Sequence, residues 1–157
     1  MNPEVVSPSK ARGLLQLTDI GVEEVTRVYK ISPPEDIFDP EQNIKFGMLL
    51  LAYYSEEARN ESELLALYNG GYRQLNNLRA RRKLAPETEH YIRTVRALKA
   101  GAARDWGDHP YSEIVDRQFS ELCRLDSTNG RLFYRNGPPA RLPIQRCNAI
   151  CNSVFMC

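Results

Sequence analysis

Ala66-Leu67-Tyr68-Asn69-Gly70-Gly71-Tyr72 sets a polar pair where an otherwise apolar helix runs into two glycines. Upstream, Asn60 is a helix cap with Glu63 placed to reach back to it, so a helix is predicted from about Glu61. Its Leu64, Leu65, Leu67 and Tyr68 cover more than one face, which implies burial near a core. A helix that stops on Gly-Gly beside an Asn and two Tyr residues presents hydrogen-bonding groups at a backbone break. Such a break suits a sugar or peptide cleft, and the same residues also make an ordinary helix end.

Outward from this run the periodic segments read as helix. Thr18 or Asp19 caps a helix running to about Tyr29, with Ile20, Val22, Val25 and Val28 supplying apolar contacts. Ser32-Pro33-Pro34 ends it in a loop. Asp39, Pro40 and Gln42 form a capping-box pattern for the next helix, whose Ile44, Gly47, Met48, Leu51 and Ala52 repeat at helical spacing as its core face. Gly47 inside that face costs about 1 kcal/mol relative to Ala and suggests close helix packing. Pro86 opens a further helix with Glu87 and Glu89 in its first turn, and Tyr91, Ile92, Val95 and Leu98 form its packing face up to Gly101. No strand-like alternation competes with these patterns, so the fold class is all-α.

After Gly101 the chain changes character. A loop carries Trp106, expected as a packing anchor, and Tyr111, Ile114, Val115, Gln118 and Leu122 suggest one more amphipathic helix. Asn129-Gly130, Asn136-Gly137 and Pro138-Pro139 punctuate an irregular tail. The predicted organisation is a helical core over residues 1–101 and an irregular, Cys-containing C-terminal extension over 102–157.

Size and charge narrow the function classes. The 157 residues suffice for one domain with a real core. Lys and Arg number 21 against 20 acidic residues, which gives no global basic surplus to argue for specific nucleic-acid binding. The dense basic run Arg79-Ala80-Arg81-Arg82-Lys83 sits at a helix-to-loop transition, as a solvated face or a contact for an anionic polymer. No stretch approaches the roughly 18 apolar residues of a membrane span. Cys123, Cys147, Cys151 and Cys157 lack zinc-site spacing, and His90 and His109 are distant in sequence, so no metal is expected. No phosphate-cradling Gly loop or Ser–His nucleophile pair appears, and no cofactor is indicated.

Four blocks in order carry a family likeness. The run Tyr68-Asn69-Gly70 resembles the Tyr-Asn-Ala-Gly signature of the soluble lytic transglycosylases, lysozyme-like enzymes that cut peptidoglycan glycan strands. Ser7-Pro8-Ser9-Lys10-Ala11-Arg12-Gly13-Leu14-Leu15-Gln16 resembles their Ser-x-x-Gly-Ala-x-Gly-Leu-Met-Gln block. Asp39-Pro40-Glu41-Gln42-Asn43-Ile44-Lys45-Phe46-Gly47 is similar to Asp-Pro-x-x-Asn-Ile-x-x-Gly, and Glu87-Thr88-Glu89-His90-Tyr91-Ile92 to Glu-Thr-x-x-Tyr-Val. The resemblance spans roughly residues 2 to 98 and implies a lysozyme-like helical domain acting on the MurNAc–GlcNAc strand.

By that resemblance Gln16, Tyr68, Asn69 and Tyr91 are substrate-binding residues converging on one groove, with Gly70 letting the backbone come close. The family's single catalytic Glu opens a Glu-Ser-x-Phe-x-Pro stretch, and Asn2-Pro3 aligns with the end of that stretch, so the expected acid falls upstream of Met1 and no residue here is assigned as catalytic. In the family this Glu protonates the leaving oxygen and then acts as base while a muramic hydroxyl closes a 1,6-anhydro ring. Glu4 and Glu87 are the nearest substitutes; Glu4 reads as a surface residue and Glu87 as a capping residue. The opening Met1-Asn2-Pro3-Glu4-Val5-Val6 shows no signal peptide, so work in the periplasm or cell wall implies export or delivery by other means, as for a phage or secretion-apparatus protein. Two alternatives keep the helices without the chemistry: a noncatalytic wall-binding component of such an apparatus, and a helical adaptor using the Arg79 to Lys83 run.

Overall fold

The computed structural model describes residues 2–102, 111, 113–118 and 120. Four helices account for most of them: α1 (Asp19–Tyr29), α2 (Pro40–Glu57), α3 (Glu61–Arg79) and α4 (Pro86–Ala102). The only extended pairing among the described residues is the isolated bridges Val6 to Arg12 and Arg12 to Leu17. The class is all-α, as a lysozyme-like domain requires. No helix among the described residues is long and apolar enough to cross a membrane. By their contacts, the described residues separate into two compact units, residues 2–50 with 111–120 and residues 51–102.

In the first unit the caps follow local chemistry. Thr18 Oγ1 accepts from the Gly21 N–H at 3.2 Å, and α1 ends at Lys30 in left-handed backbone. Asp39 Oδ1 accepts from the Gln42 N–H at 2.9 Å, but the Gln42 side chain accepts from Glu35 N–H instead of closing a box on Asp39. The second arm of the expected box is spent on fixing the preceding loop. Ile20 is 69% exposed, so the packing side of α1 is narrower than its apolar residues suggest, with Gly21 and Val25 buried on it. From Phe46 to Leu50 every residue of α2 is buried, and the core is a full circumference of that helix and not one stripe. Leu17, Val25, Ile44 and Met48 fill this core, and Val115 and Gln118 from the helical stretch 113–118 are buried in the same unit. Arg117 pairs with Glu41 at 2.9 Å.

In the second unit, α3 and α4 pack together around Leu65, Ala66, Leu84 and Ile92, with Leu78, Tyr91 and Val95 against them. Asn60 caps α3 by accepting from Glu63 N–H, and Glu63 Oε2 accepts in return from the Arg59 N–H at 3.0 Å, one residue earlier than expected. Glu63 also holds Arg79, whose guanidinium donates to Glu57 as well. Arg96 donates to Ser62 at 2.6 Å and to Glu61, and Lys99 pairs with Glu61, so Arg96 and Lys99 fasten α4 to the start of α3. Leu98, expected on the packing face, is 63% exposed. α3 is also longer than its apolar run, because helix resumes after a break at Gly71 and continues to Arg79. Trp106, Leu122, the four cysteines and the tail lie outside the described residues.

Candidate functional site

Two stretches carry the sequence-predicted site residues, one in each unit. In the first unit, residues 10 to 17 form a hydrogen-bonded loop: Arg12 N–H donates to Leu17 O and Leu17 N–H to Arg12 O, each at 2.9 Å. Gly13 at φ 76 and Gln16 at φ 49 are both left-handed, a conformation that disfavours a Cβ. The loop is pinned from beneath by Asn43 of α2, fully buried. Asn43 Oδ1 accepts from Leu15 N–H at 2.8 Å, and its Nδ2 donates to Ile37 O at 2.8 Å and to Arg12 O at 3.1 Å. A Cβ on Gly13 would overlap that same amide, and one on Gly47 would overlap the Leu15 side chain. The glycine inside α2 therefore admits the loop and not a neighbouring helix.

This geometry reshapes Gln16. Its Nε2 donates to Gly13 O at 2.8 Å and to Val5 O at 3.3 Å, so both amide hydrogens are committed to the turn. Two carbonyl partners fix which end of the amide is nitrogen. What remains for a ligand is the Oε1 acceptor on a partly exposed side chain.

In the second unit Tyr68 and Asn69 lie on α3 just ahead of its break. Gly71 adopts φ 66, ψ −171, a backbone region that essentially only glycine occupies. A Cβ there would meet nothing within 4 Å, so conformation alone demands the glycine. Gly70 differs, since a Cβ would overlap Gln74 and sit 2.9 Å from Thr88 Oγ1, both buried. The room made at Gly70 is filled by protein, and Gln74 Oε1 in turn accepts from Ala85 N–H at 3.0 Å, fixing the start of α4. The Asn69 amide is partly exposed and has no hydrogen-bond partner among the described residues.

The tyrosines of this unit form a cluster. Burial pushes the Tyr68 hydroxyl far above its ordinary range, with further upward contributions from Tyr91 and Tyr54. Burial also raises Tyr91. Tyr54, buried on α2, meets Tyr72 edge to face with ring centroids 6.4 Å apart. Tyr68 and Tyr91 lie in the same cluster, which also takes in Tyr54; that residue follows Tyr53 at the end of a long apolar run, where an aromatic reads as core. With their ionisation pushed upward, the Tyr68 and Tyr91 phenols stay neutral at physiological pH, able to donate and accept hydrogen bonds but not to supply acid–base catalysis.

Carboxylates tell a complementary story. Glu63 is the one buried acid among the described residues. Burial alone would raise it, but hydrogen bonds from Arg79 and the Arg59 N–H, with the charges of both arginines, outweigh that and hold it below the usual carboxylate range. It is ionised and structural. Glu4 and Glu87 are both exposed, Glu87 in the first turn of α4. No group of His, Cys, Asp and Glu among the described residues is placed to hold a metal ion.

Against known families, residues 1–91 match the one described as Transglycosylase SLT domain. The match covers more than half of the 157 residues, and the chain belongs to that family. No curated protein and no solved structure gave a match.

Proposed function

We propose, from its membership of the transglycosylase SLT domain family, that this chain engages the MurNAc–GlcNAc strands of peptidoglycan through Tyr68, Asn69 and Tyr91 of the second unit and, in the first unit, through the Oε1 acceptor of Gln16. The observation that carries this reading is the Asn69 amide, without a hydrogen-bond partner among the described residues, beside the neutral phenols of Tyr68 and Tyr91 at a glycine-only break with open space on its side. An N-acetyl group offers both a donor and an acceptor, which an amide and a phenol match. The saccharide-binding part is assigned to residues 1–101, acting in the periplasm or cell wall after export or delivery.

The chemistry of the family needs a proton donor at the leaving oxygen. Among the described residues the one buried carboxylate is ionised by Arg79, and Glu4 and Glu87 are exposed. Strand cleavage with 1,6-anhydromuramic products is therefore proposed only where a Glu is provided ahead of Pro3, in the family's Glu-Ser-x-Phe-x-Pro position. A second reading keeps the binding residues without the chemistry, as a noncatalytic wall-binding component of a phage or secretion apparatus.

Titration with chitooligosaccharide or muropeptide tests the binding. Backbone resonances at 13–17, 67–71 and 90–92 are expected to shift, and Asn69→Ala to weaken binding by about 1 to 3 kcal/mol with helical content unchanged. Saturating ligand with no shift in these segments removes the saccharide reading. For activity, mass spectrometry of peptidoglycan digested by residues 1–157 should find little muropeptide release; abundant anhydro products would restore Glu4 as a candidate acid.

A further inference from the structure

The basic run at the end of α3 separates into two parts with different work. Arg79 is structural: its guanidinium donates to Glu63 Oε2, Glu57 Oε1 and the Glu57 carbonyl, the last at 2.7 Å. Arg81, Arg82 and Lys83 are all exposed and make no ion pair among the described residues. The acids nearest in sequence, Glu87 and Glu89 on α4, are exposed and do not pair with them.

The turn that presents these three cations is held firmly by main-chain bonds. Arg81 N–H donates to Leu78 O at 3.1 Å and Arg82 N–H to Asn77 O at 2.8 Å, the paired bonds of a Schellman motif, with Arg81 left-handed at φ 54. That motif ordinarily takes Gly at the left-handed position and an apolar residue at the next, where it packs back on the helix. Here both positions are Arg, and Arg82 is exposed. Local stability favours neither choice. Helix-dipole compensation does not require them either, because Arg79 already supplies the cation of the last turn. Residues that break a local rule without a local gain point to a function.

We propose that Arg81, Arg82 and Lys83 form a docking surface for the carboxylates of the peptide stems on a peptidoglycan strand. The inference rests on the saccharide reading for its polymer. The stretch from Arg79 to Ala85 contains no aromatic on which a nucleic-acid base could stack, and the whole chain carries a net charge of only +1. A sparse, rigid set of three cations matches carboxylates spaced along a flexible polymer, and the consequence is a preference for stem-bearing over naked glycan.

The test compares the full chain with its triple variant Arg81→Gly, Arg82→Gln, Lys83→Gln on three probes: stem-bearing glycan strands, the same strands stripped by an amidase, and neutral chitooligosaccharide. Gly at position 81 suits the left-handed backbone, so the variant should melt no lower than the parent. At low salt its affinity for stem-bearing strands should fall by about tenfold or more, and the salt dependence should flatten, with chitooligosaccharide binding unchanged. Equal affinity of parent and variant for stem-bearing strands overturns the docking surface while leaving the saccharide reading intact. A parent that ignores chitooligosaccharide yet loses stem-bearing strands on substitution overturns the Tyr68–Asn69 wall and keeps the turn. Tighter, equally salt-sensitive binding of a single-stranded oligonucleotide through these residues would reassign the turn to nucleic acid and overturn the proposal.

Discussion

Gly13 and Gly71 both sit at positive φ, yet the surroundings of the two glycines are opposite. At Gly13 a side chain is excluded twice, by the backbone and by the Asn43 amide directly beneath it. At Gly71 only the backbone excludes it, and the space where a Cβ would point is open. The first glycine is therefore part of a packed joint, and the second is a bend with open space on its outer side. The loop at 10–17 is built to be fixed, with even its Gln16 amide directed inward, while the break at 69–72 keeps the Asn69 amide without a hydrogen-bond partner among the described residues.

The sharpest way to break this contrast is to add one methyl group at each position. Gly13→Ala should cost about 4 kcal/mol in urea unfolding, combining left-handed strain of about 1 to 2 with overpacking of about 1 to 3. Asn43→Ala removes the other half of the joint: it takes the side-chain acceptor from Leu15 N–H, the amide donor from the Ile37 carbonyl and one of the two donors from the Arg12 carbonyl. The expected loss is about 3 kcal/mol. Because Gly13 and Asn43 touch, the double variant should lose less than the sum of the two. A loss below about 1 kcal/mol for either single variant would mean that the loop is not held from beneath.

Gly71→Ala should be milder, about 2 kcal/mol, since strain acts without overlap. Its distinguishing readout is binding: chitooligosaccharide affinity should fall, because a Cβ enters the open side of the break. If Gly71→Ala proves as destabilising as Gly13→Ala, the open side is not open and the contrast collapses.

The sequence revealed these features unevenly, and the range of each interaction explains why. The caps at Thr18, Asp39 and Asn60 were legible because a cap is settled within three or four residues by groups of specific chemistry. The break at Gly70-Gly71 was legible for the same reason, but the resumption of helix to Arg79 was not, since residues 72–79 have only Leu75 and Leu78 to show a period. Ile20 and Leu98 were misassigned because periodicity locates an apolar face without fixing its width. Asn43 stands within a motif, but nothing local marks it as the pin of the loop; two of its partners lie 28 and 31 positions away, beyond what local pattern encodes. Gly47 was understood as a contact, with the wrong neighbour, because a loop approaching a helix leaves no periodic trace. Tyr68 and Tyr91 were named from motif resemblance, and Tyr54 was lost among apolar neighbours although it belongs to the same cluster.

The smallest expected effect separates the two regions by pH. The joint at 10–17 is pinned by amides, which do not titrate, whereas the 69–72 region adjoins the half-buried phenols of Tyr68 and Tyr91. Tyr68 ionises near 10.0 when exposed in the unfolded chain, but burial holds it protonated in the folded one, and Tyr91 is shifted in the same direction. Above pH 10 the unfolded state therefore binds fewer protons than the folded state, so stability is full below that pH and declines as pH rises through it. Each such tyrosine contributes a slope of at most about 1.4 kcal/mol per pH unit. Urea midpoints measured from pH 8 to 11 should show the decline in the parent protein and a shallower one in Tyr68→Phe, which has no hydroxyl to ionise. Asn43→Ala should lower the whole curve without changing its alkaline slope. An identical slope in Tyr68→Phe would show that the Tyr68 hydroxyl is already solvated in the folded protein, and would take the tyrosine cluster out of the contrast.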